Sequence, residues 1–470
     1  MSHSFKVLAL KPLIAAGFLS LLLSGCASSA LVPVTPAAVP AAFKGAATQS
    51  AATTPAPKAA WWLIFSDPVL NDLMARAMDK NNDVKLAAAH LEQAQALLKS
   101  SHADLWPQAG VSYSPSRSTY LQPPGKALTD HALGVDLSYE VDLSGRLSKA
   151  AQAAKLDTQS SADLLRDAQL LLQSRVAESY FALRALDEDR AIVADTLSAY
   201  RGSLQVTQHR FEEGDVAELD VARLQTEVDT TATEAASLDQ QRAQLIHALA
   251  VLVGEPASTF DLNSTSWAKE PWAEAVPAIP AGIPADVLQR RPDIAASYIS
   301  LEAAQKRVGI AKAAWLPTLN LTASGGFASS DLDTLFDNAS HTWSLAGILS
   351  QAVFDGGRRR AGIDYAKGGL DGAFATYQQN VLTALADVED QLSDLSYLQQ
   401  QQTSEDQAMA AATRALAMSQ SRYTNGSSSQ LDVLDAQRSQ LAIRRQALKV
   451  RAAQYQSTVG LIRALGGSWS

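Results

Sequence analysis

No proline occurs between Pro124 and Pro256, and none follows Pro317. Proline breaks helix interiors because its ring fixes φ and removes an N–H donor. Two such tracts therefore leave room for two very long helical runs. The apolar residues in the first agree: Leu183, Leu186, Val193, Leu197, Tyr200, Leu204 and Phe211 recur at threes, fours and sevens. So do Val221, Leu224, Val228, Thr231, Ala235, Leu238, Leu245, Leu249 and Leu252. Sustained 3.5-residue spacing marks a coiled-coil seam. One helix over residues 148–212 would run about 100 Å at 1.5 Å per residue, far longer than a globular domain requires.

The two tracts are copies. Residues 103–107 (ADLWP) echo 313–317 (AAWLP), and beyond them the displacement settles at 212. Gly145 matches Gly357, Arg210-Phe211 matches Arg422-Tyr423, Gly214 matches Gly426, Leu219-Asp220 matches Leu431-Asp432, and Gly254 matches Gly466. The reading is a first repeat over 61–255, a connector over 256–292 and a second repeat over 293–470. Each repeat reads as helix, two strands, long helix, break and return helix.

Strands enter through alternation. Leu133, Val135, Leu137, Tyr139 and Val141 fall at every second position, with Gly134, Asp136, Ser138 and Glu140 between them. Just after Gly145 the helical pattern begins, so a two-sided strand runs almost directly into a helix. The four strand candidates are roughly 108–119, 132–143, 317–327 and 342–354, the first weakened by Pro115. Each is near the ~10 residues that a tilted membrane strand needs. Four strands cannot close around a lumen, and unpaired backbone cannot face lipid, so a membrane barrel requires several chains.

Composition narrows the partners. A formal charge of −9 argues against nucleic acid, whose binders are basic. Aromatic residues are only 6%, which suits long thin helices better than a thick core. The N-terminus carries Lys6 and Lys11, an apolar run from Leu13 to Leu23, and then Ser24-Gly25-Cys26. That order reads as a secretory signal over 1–25. Its small residues end at the one cysteine of the chain, as in a bacterial lipoprotein lipobox, and imply cleavage and lipidation at Cys26. Loss of Lys6 and Lys11 takes the charge from −9 to −11. Residues 26–60, rich in Ala, Pro, Thr and Ser, read as a flexible tether.

Several segments together resemble the outer-membrane factors of bacterial multidrug efflux systems, the TolC and OprM group in its NodT-type lipoprotein branch. They are Trp61-Trp62 with Phe65 and Asp67-Pro68, residues 139–146 (YEVDLSGR), 283–293 (IPADVLQRRPD), 354–358 (FDGGR) and 431–438 (LDVLDAQR). The resemblance implies a mainly α chain with a membrane β-barrel contribution. Three copies would each give four strands to a twelve-stranded barrel continuing into an α-helical tunnel. It also implies an outer-membrane location reaching into the periplasm, a periplasmic adaptor and an inner-membrane pump as partners, and passive conduction of exported small molecules. Ala27 after the cysteine favours outer-membrane sorting on the same grounds.

Candidate gate residues lie at the helix breaks, residues 210–220 (RFEEGDVAELD) and 422–432 (RYTNGSSSQLD). Ser429 with Asp432, and Asp215 with Glu218, have capping-box spacing. A carboxylate near a helix start accounts for Asp432 without any pore, and an i,i+3 pair with Arg438 accounts for Asp435. The resemblance instead places Asp432 and Asp435 at the inner face of a closed periplasmic tip, beside Leu431 and Arg438. It places Tyr423 in the hydrogen-bond network that locks the tip. Where TolC has an arginine shortly after the matching glycine, Ser427 and Ser428 stand here. Arg290 and Arg291 read as structural, with Pro292 suited to a helix start.

Enzyme signals are missing. The seven histidines show no metal-ligand spacing, and no phosphate loop or nucleophile elbow occurs, so neither cofactor nor metal is expected. The acidic residues of the long helices read as solvated faces. The competing reading is a periplasmic coiled-coil scaffold lipoprotein without a pore, which would give four amphipathic strands no purpose.

Overall fold

The computed structural model describes residues 40–44, 60–119, 127–269, 273, 275–280, 282 and 284–469, all within the unit Val39–Ser470. The signal segment 1–25, Cys26 and most of the expected tether lie outside the described residues.

Asp67, fully buried, caps the first α-helix. Its carboxylate accepts from the backbone N–H of Val69 (2.8 Å) and Leu70 (3.1 Å), and Pro68 occupies the first helical position of α1 (Pro68–Lys80). Asn81 caps α2 (Asn82–Ala103) in the same way. Strands β1 (Gln108–Thr119) and β2 (Ala127–Val141) follow, then α3 (Arg146–Glu212) and α4 (Glu218–Leu252). A connector holds the short α5 (Pro284–Arg290). The second repeat runs α6 (Pro292–Ala313), β3 (Thr318–Ser329), β4 (His341–Ser350), α7 (Arg358–Thr424) and α8 (Gln430–Ala464). Both long helices have 67 residues, both return helices 35, and α2 and α6 each 22.

The strands form one antiparallel sheet in sequence order, with β2 against β3 joining the repeats. Strand ends shift from the sequence expectation: β2 begins at Ala127, and β4 stops at Ser350, leaving Val353 and Phe354 outside it. β1 runs through Pro115, which stands opposite His131 without interrupting the register with β2. No described helix is long and apolar enough to cross a membrane.

The abrupt strand-to-helix junction has a local cause. Gly145 (φ 67°) and Gly357 (φ 93°) take left-handed backbone at the two helix starts. Upstream aspartates receive the orphan amides there. Asp142 accepts from Leu147 N (3.0 Å), Ser148 N (2.8 Å) and Ser148 Oγ (2.6 Å). Asp355 accepts from Gly357 N (3.0 Å) and Arg359 N (3.1 Å). Partial burial raises the Asp142 carboxyl, but the Ser148 and neighbouring hydrogen bonds outweigh it and leave it below its usual range.

The main core is aromatic. Phe65, Phe181, Tyr455 and Trp267 pack in series, tilted, stacked and edge-on in turn, with centroid separations of 4.8, 5.1 and 5.5 Å. Around them α1, α3, α8 and the connector bury Trp61, Leu73, Met74 and Ile462. Phe43 is buried in the same cluster, and the Lys44 N–H donates to Glu389 Oε1 at 2.8 Å. At Phe43 and Lys44, therefore, the expected tether is packed rather than loose.

The acidic residues of α3 are not all solvated, contrary to expectation. Asp187 is enclosed, accepting from Arg184 (3.2 Å) and Arg242 (2.7 Å), while those arginines also donate to the connector carbonyls of Asn263 and Leu262. Glu188 takes the Trp267 N–H (3.2 Å), and Asp189 is buried against Arg445. Three consecutive carboxylates thus fasten α3 to α4, the connector and α8. Heptad reasoning could not see them because the connector covers this turn of the helix.

Candidate functional site

Residues 213–217 join α3 to α4, and 425–429 join α7 to α8. Each turn closes identically. Gly214 (φ 82°) and Gly426 (φ 73°) take left-handed backbone that favours glycine. The Asp215 N–H donates to the Arg210 carbonyl (2.8 Å) and Gly214 N–H to Phe211 (2.9 Å). Ser427 N–H to Arg422 (2.8 Å) and Gly426 N–H to Tyr423 (2.9 Å) repeat the pattern, a Schellman closure in both cases.

The restarts differ. Ser429 and Asp432 form a full capping box: Ser429 Oγ accepts the Asp432 N–H at 3.3 Å, and Asp432 Oδ2 takes the Ser429 N–H at 2.9 Å. These bonds, the backbone one foremost, hold the exposed Asp432 carboxyl below its usual range. Asp215 and Glu218 form no such box. The N-cap of α4 is Ala217, which has no side-chain oxygen to offer, and Glu218 is the first helical residue rather than the third, so Asp215 and Glu218 are out of register for a box.

Leu431, Asp432, Asp435 and Arg438 form an exposed stripe on α8, while Val433 and Leu434 turn inward. Leu434 packs with Leu197, Tyr200, Leu204, Leu224 and Val228, a small core of its own. Arg438 reaches Asp435 (3.4 Å) and, more closely, Glu227 on α4. Tyr423 is brought elsewhere: Arg210 Nη1 donates to its hydroxyl at 2.6 Å, linking the ends of α3 and α7.

Sequence reasoning missed Glu227, Glu234 and Arg445, and the pairing of Arg210 with Tyr423. Arg445 pairs with Glu234 and with Asp189 (2.6 Å), and these carboxylates raise its pKa. Glu227 and Glu234 are seven apart, as are Arg438 and Arg445, so a ladder of opposite charge joins α4 to α8 along one heptad. That matched spacing was the available signal. Between α3, α7 and α8 a cavity of about 210 Å³ is lined by Tyr200 and Gln437. Burial pushes the Tyr200 phenol up to about 12. Among the described residues no His, Cys, Asp and Glu group is arranged to hold a metal.

The sequence matches the family described as outer membrane efflux protein over residues 73–255 and 283–467. It is 34% identical over 435 residues to the solvent efflux pump outer membrane protein SrpC of Pseudomonas putida, covering 91% of each chain. The fold is similar to the outer-membrane channel OprN, with a TM-score of 0.85 and 28% identity over 93% of this chain and 98% of that one. The Campylobacter jejuni CmeC outer membrane channel gives 0.85 at 26% identity, covering 94% of each.

Proposed function

The chain belongs to the outer membrane efflux protein family, and on that premise we propose that three copies close one twelve-stranded barrel whose bore continues between the long helices. It is an outer-membrane channel of an efflux system, extending into the periplasm, and its relatives are efflux channels rather than enzymes. One observation carries the assembly. The sheet has an apolar face left open, with Val135, Leu345, Leu349 and Trp343 between 53% and 83% exposed, and among the described residues the outer edges of β1 and β4 have no partner strand. Lipid-facing backbone must be hydrogen-bonded, so β4 of one copy pairs with β1 of the next.

The partners are a periplasmic adaptor and an inner-membrane pump, and Cys26 carries the lipid anchor. Conduction is passive. The gate is the pair of helix turns, closed by the Arg210–Tyr423 and Arg438–Glu227 ties and opened as the hairpins splay. Threefold symmetry sets Asp432 and Asp435 around the axis as an acidic, cation-favouring ring, with Leu431 beside them.

Purified protein in planar bilayers tests the reading: ion conductance and a crosslinked trimer are expected. A monomer that passes no current refutes the channel. Asp432→Ala and Asp435→Ala channels with unchanged conductance and cation preference would refute the acidic gate alone.

A further inference from the structure

Strand register sorts the sheet into two faces. Leu133, Val135, Leu137 and Tyr139 share one face with Phe327, Ala323 and Leu321 across β3, and with Trp343 and Leu345 on β4. The opposite face is mainly hydroxyl, amide or glycine, with three carboxylates, three alanines, Leu128 and Ile348 among them. One row across it reads Gly110, Asp136, Ser324, Ser344, and the next outward reads Ser112, Gly134, Gly326, Thr342. Among the described strand residues this polar face carries no Lys, Arg or His. Its ionisable groups are Asp130, Asp136 and Glu140.

Glu140 is neutralised, since Arg146 Nη2 donates to both its oxygens at 2.8 Å. Among the described residues no cation pairs with Asp136 or with Asp130, and Asp136 lies deeper in the sheet. Ser112 Oγ donates to its Oδ2 at 2.9 Å, which holds the side chain in place without cancelling its charge. Gly134 and Gly326 in the adjacent row leave the carboxylate uncrowded.

An apolar outer face puts this polar face in the lumen. Twelve strands about 4.8 Å apart and tilted about 40° enclose a backbone cylinder roughly 24 Å across. Its radius is close to the Debye length of about 10 Å at 0.1 M salt, so a ring of charge on the wall reaches the axis there and not at 1 M, where the length is about 3 Å.

We propose that Asp136, repeated by threefold symmetry, is a charge filter inside the barrel that favours cations over anions independently of the carboxylates at the helix turns. This rests on the threefold barrel proposed above. The test is the potassium-to-chloride permeability ratio of the full-length protein in planar bilayers, from reversal potentials across a gradient of about 10 to 100 mM KCl. Asp136→Asn should lower the ratio about twofold or more and Asp136→Lys should take it below one, with both converging on the parent channel in about 1 M salt. Asp432→Asn, measured alongside, should add its own shift to that of Asp136→Asn, as separate sites do. Conducting Asp136→Asn channels with an unchanged ratio at low salt overturn the filter, whether or not Asp136→Lys assembles. A parent protein that conducts nothing and yields no crosslinked trimer overturns the barrel instead.

Discussion

Four helices in this chain end on a left-handed glycine with the same closure, yet they end in different company. A Cβ on Gly254 would lie 2.6 Å from the Lys80 carbonyl oxygen, and one on Gly466 would lie 2.8 Å from that of Arg290. A Cβ on Gly214 or Gly426 would meet nothing within 4 Å. The first pair sits by the aromatic core, where α1, α5 and the return helices press together. The second pair caps the hairpin turns, held by one small apolar cluster and a few ion pairs. One end of each coiled coil is built against neighbours and the other against water, so local unfolding and motion belong to the second.

The largest effect should come from Asp187. Removing it leaves Arg184, 2% exposed, and Arg242 without their shared carboxylate. Breaking a buried pair from one side costs about 3–5 kcal/mol, so Asp187→Ala should show a loss of that order in denaturant unfolding. A loss no greater than that of a surface aspartate would remove the contrast. The glycines come next. Gly254→Ala and Gly466→Ala combine left-handed strain with a backbone clash and should cost about 3 kcal/mol or more, while Gly214→Ala and Gly426→Ala should cost only the strain, about 1–2 kcal/mol.

At the turns, function should move more than stability. Arg438 is 47% exposed, so Arg438→Ala or Glu227→Ala should change unfolding by less than about 1 kcal/mol. Single-channel conductance should nevertheless rise, because a tie between hairpins is gone. Unchanged conductance in both variants would mean the closed tip is held elsewhere. The smallest effect is in pH. The Asp432 carboxyl is held down in the fold, so its stabilisation is present above the ordinary carboxyl pKa of about 3.9 and is lost as pH falls through the lower folded value. The protection factors of the amides at residues 430–433, taken against the intrinsic exchange rate at each pH, should therefore fall below about pH 4, and Ser429→Ala should lower them at neutral pH.

The duplicated architecture was legible because its signals are periodic. Proline gaps, heptads and a displacement of 212 fixed the helices, and alternation found all four strands. The Ser429–Asp432 cap was legible from spacing alone. The false counterpart at Asp215 shows the limit, since the same spacing is two residues out of register with the N-cap, which falls on Ala217. Asp187 and Arg184 were illegible for a different reason. Their burial depends on the connector folding over α3, a contact across 79 residues for Arg184 and Asn263, and no helical period reports such a cover. Arg210 with Tyr423, 213 residues apart, needed both hairpins in place.

The equal arms of the two repeats carry a consequence for assembly. In the proposed trimer three chains would supply six hairpins, and equal helix lengths would let all six finish level, an annulus of near-sixfold evenness from merely threefold parts. Trimming a heptad from both halves should shorten that ring uniformly, whereas trimming one half should leave alternate ends staggered by about 10 Å, a rim too uneven to shut.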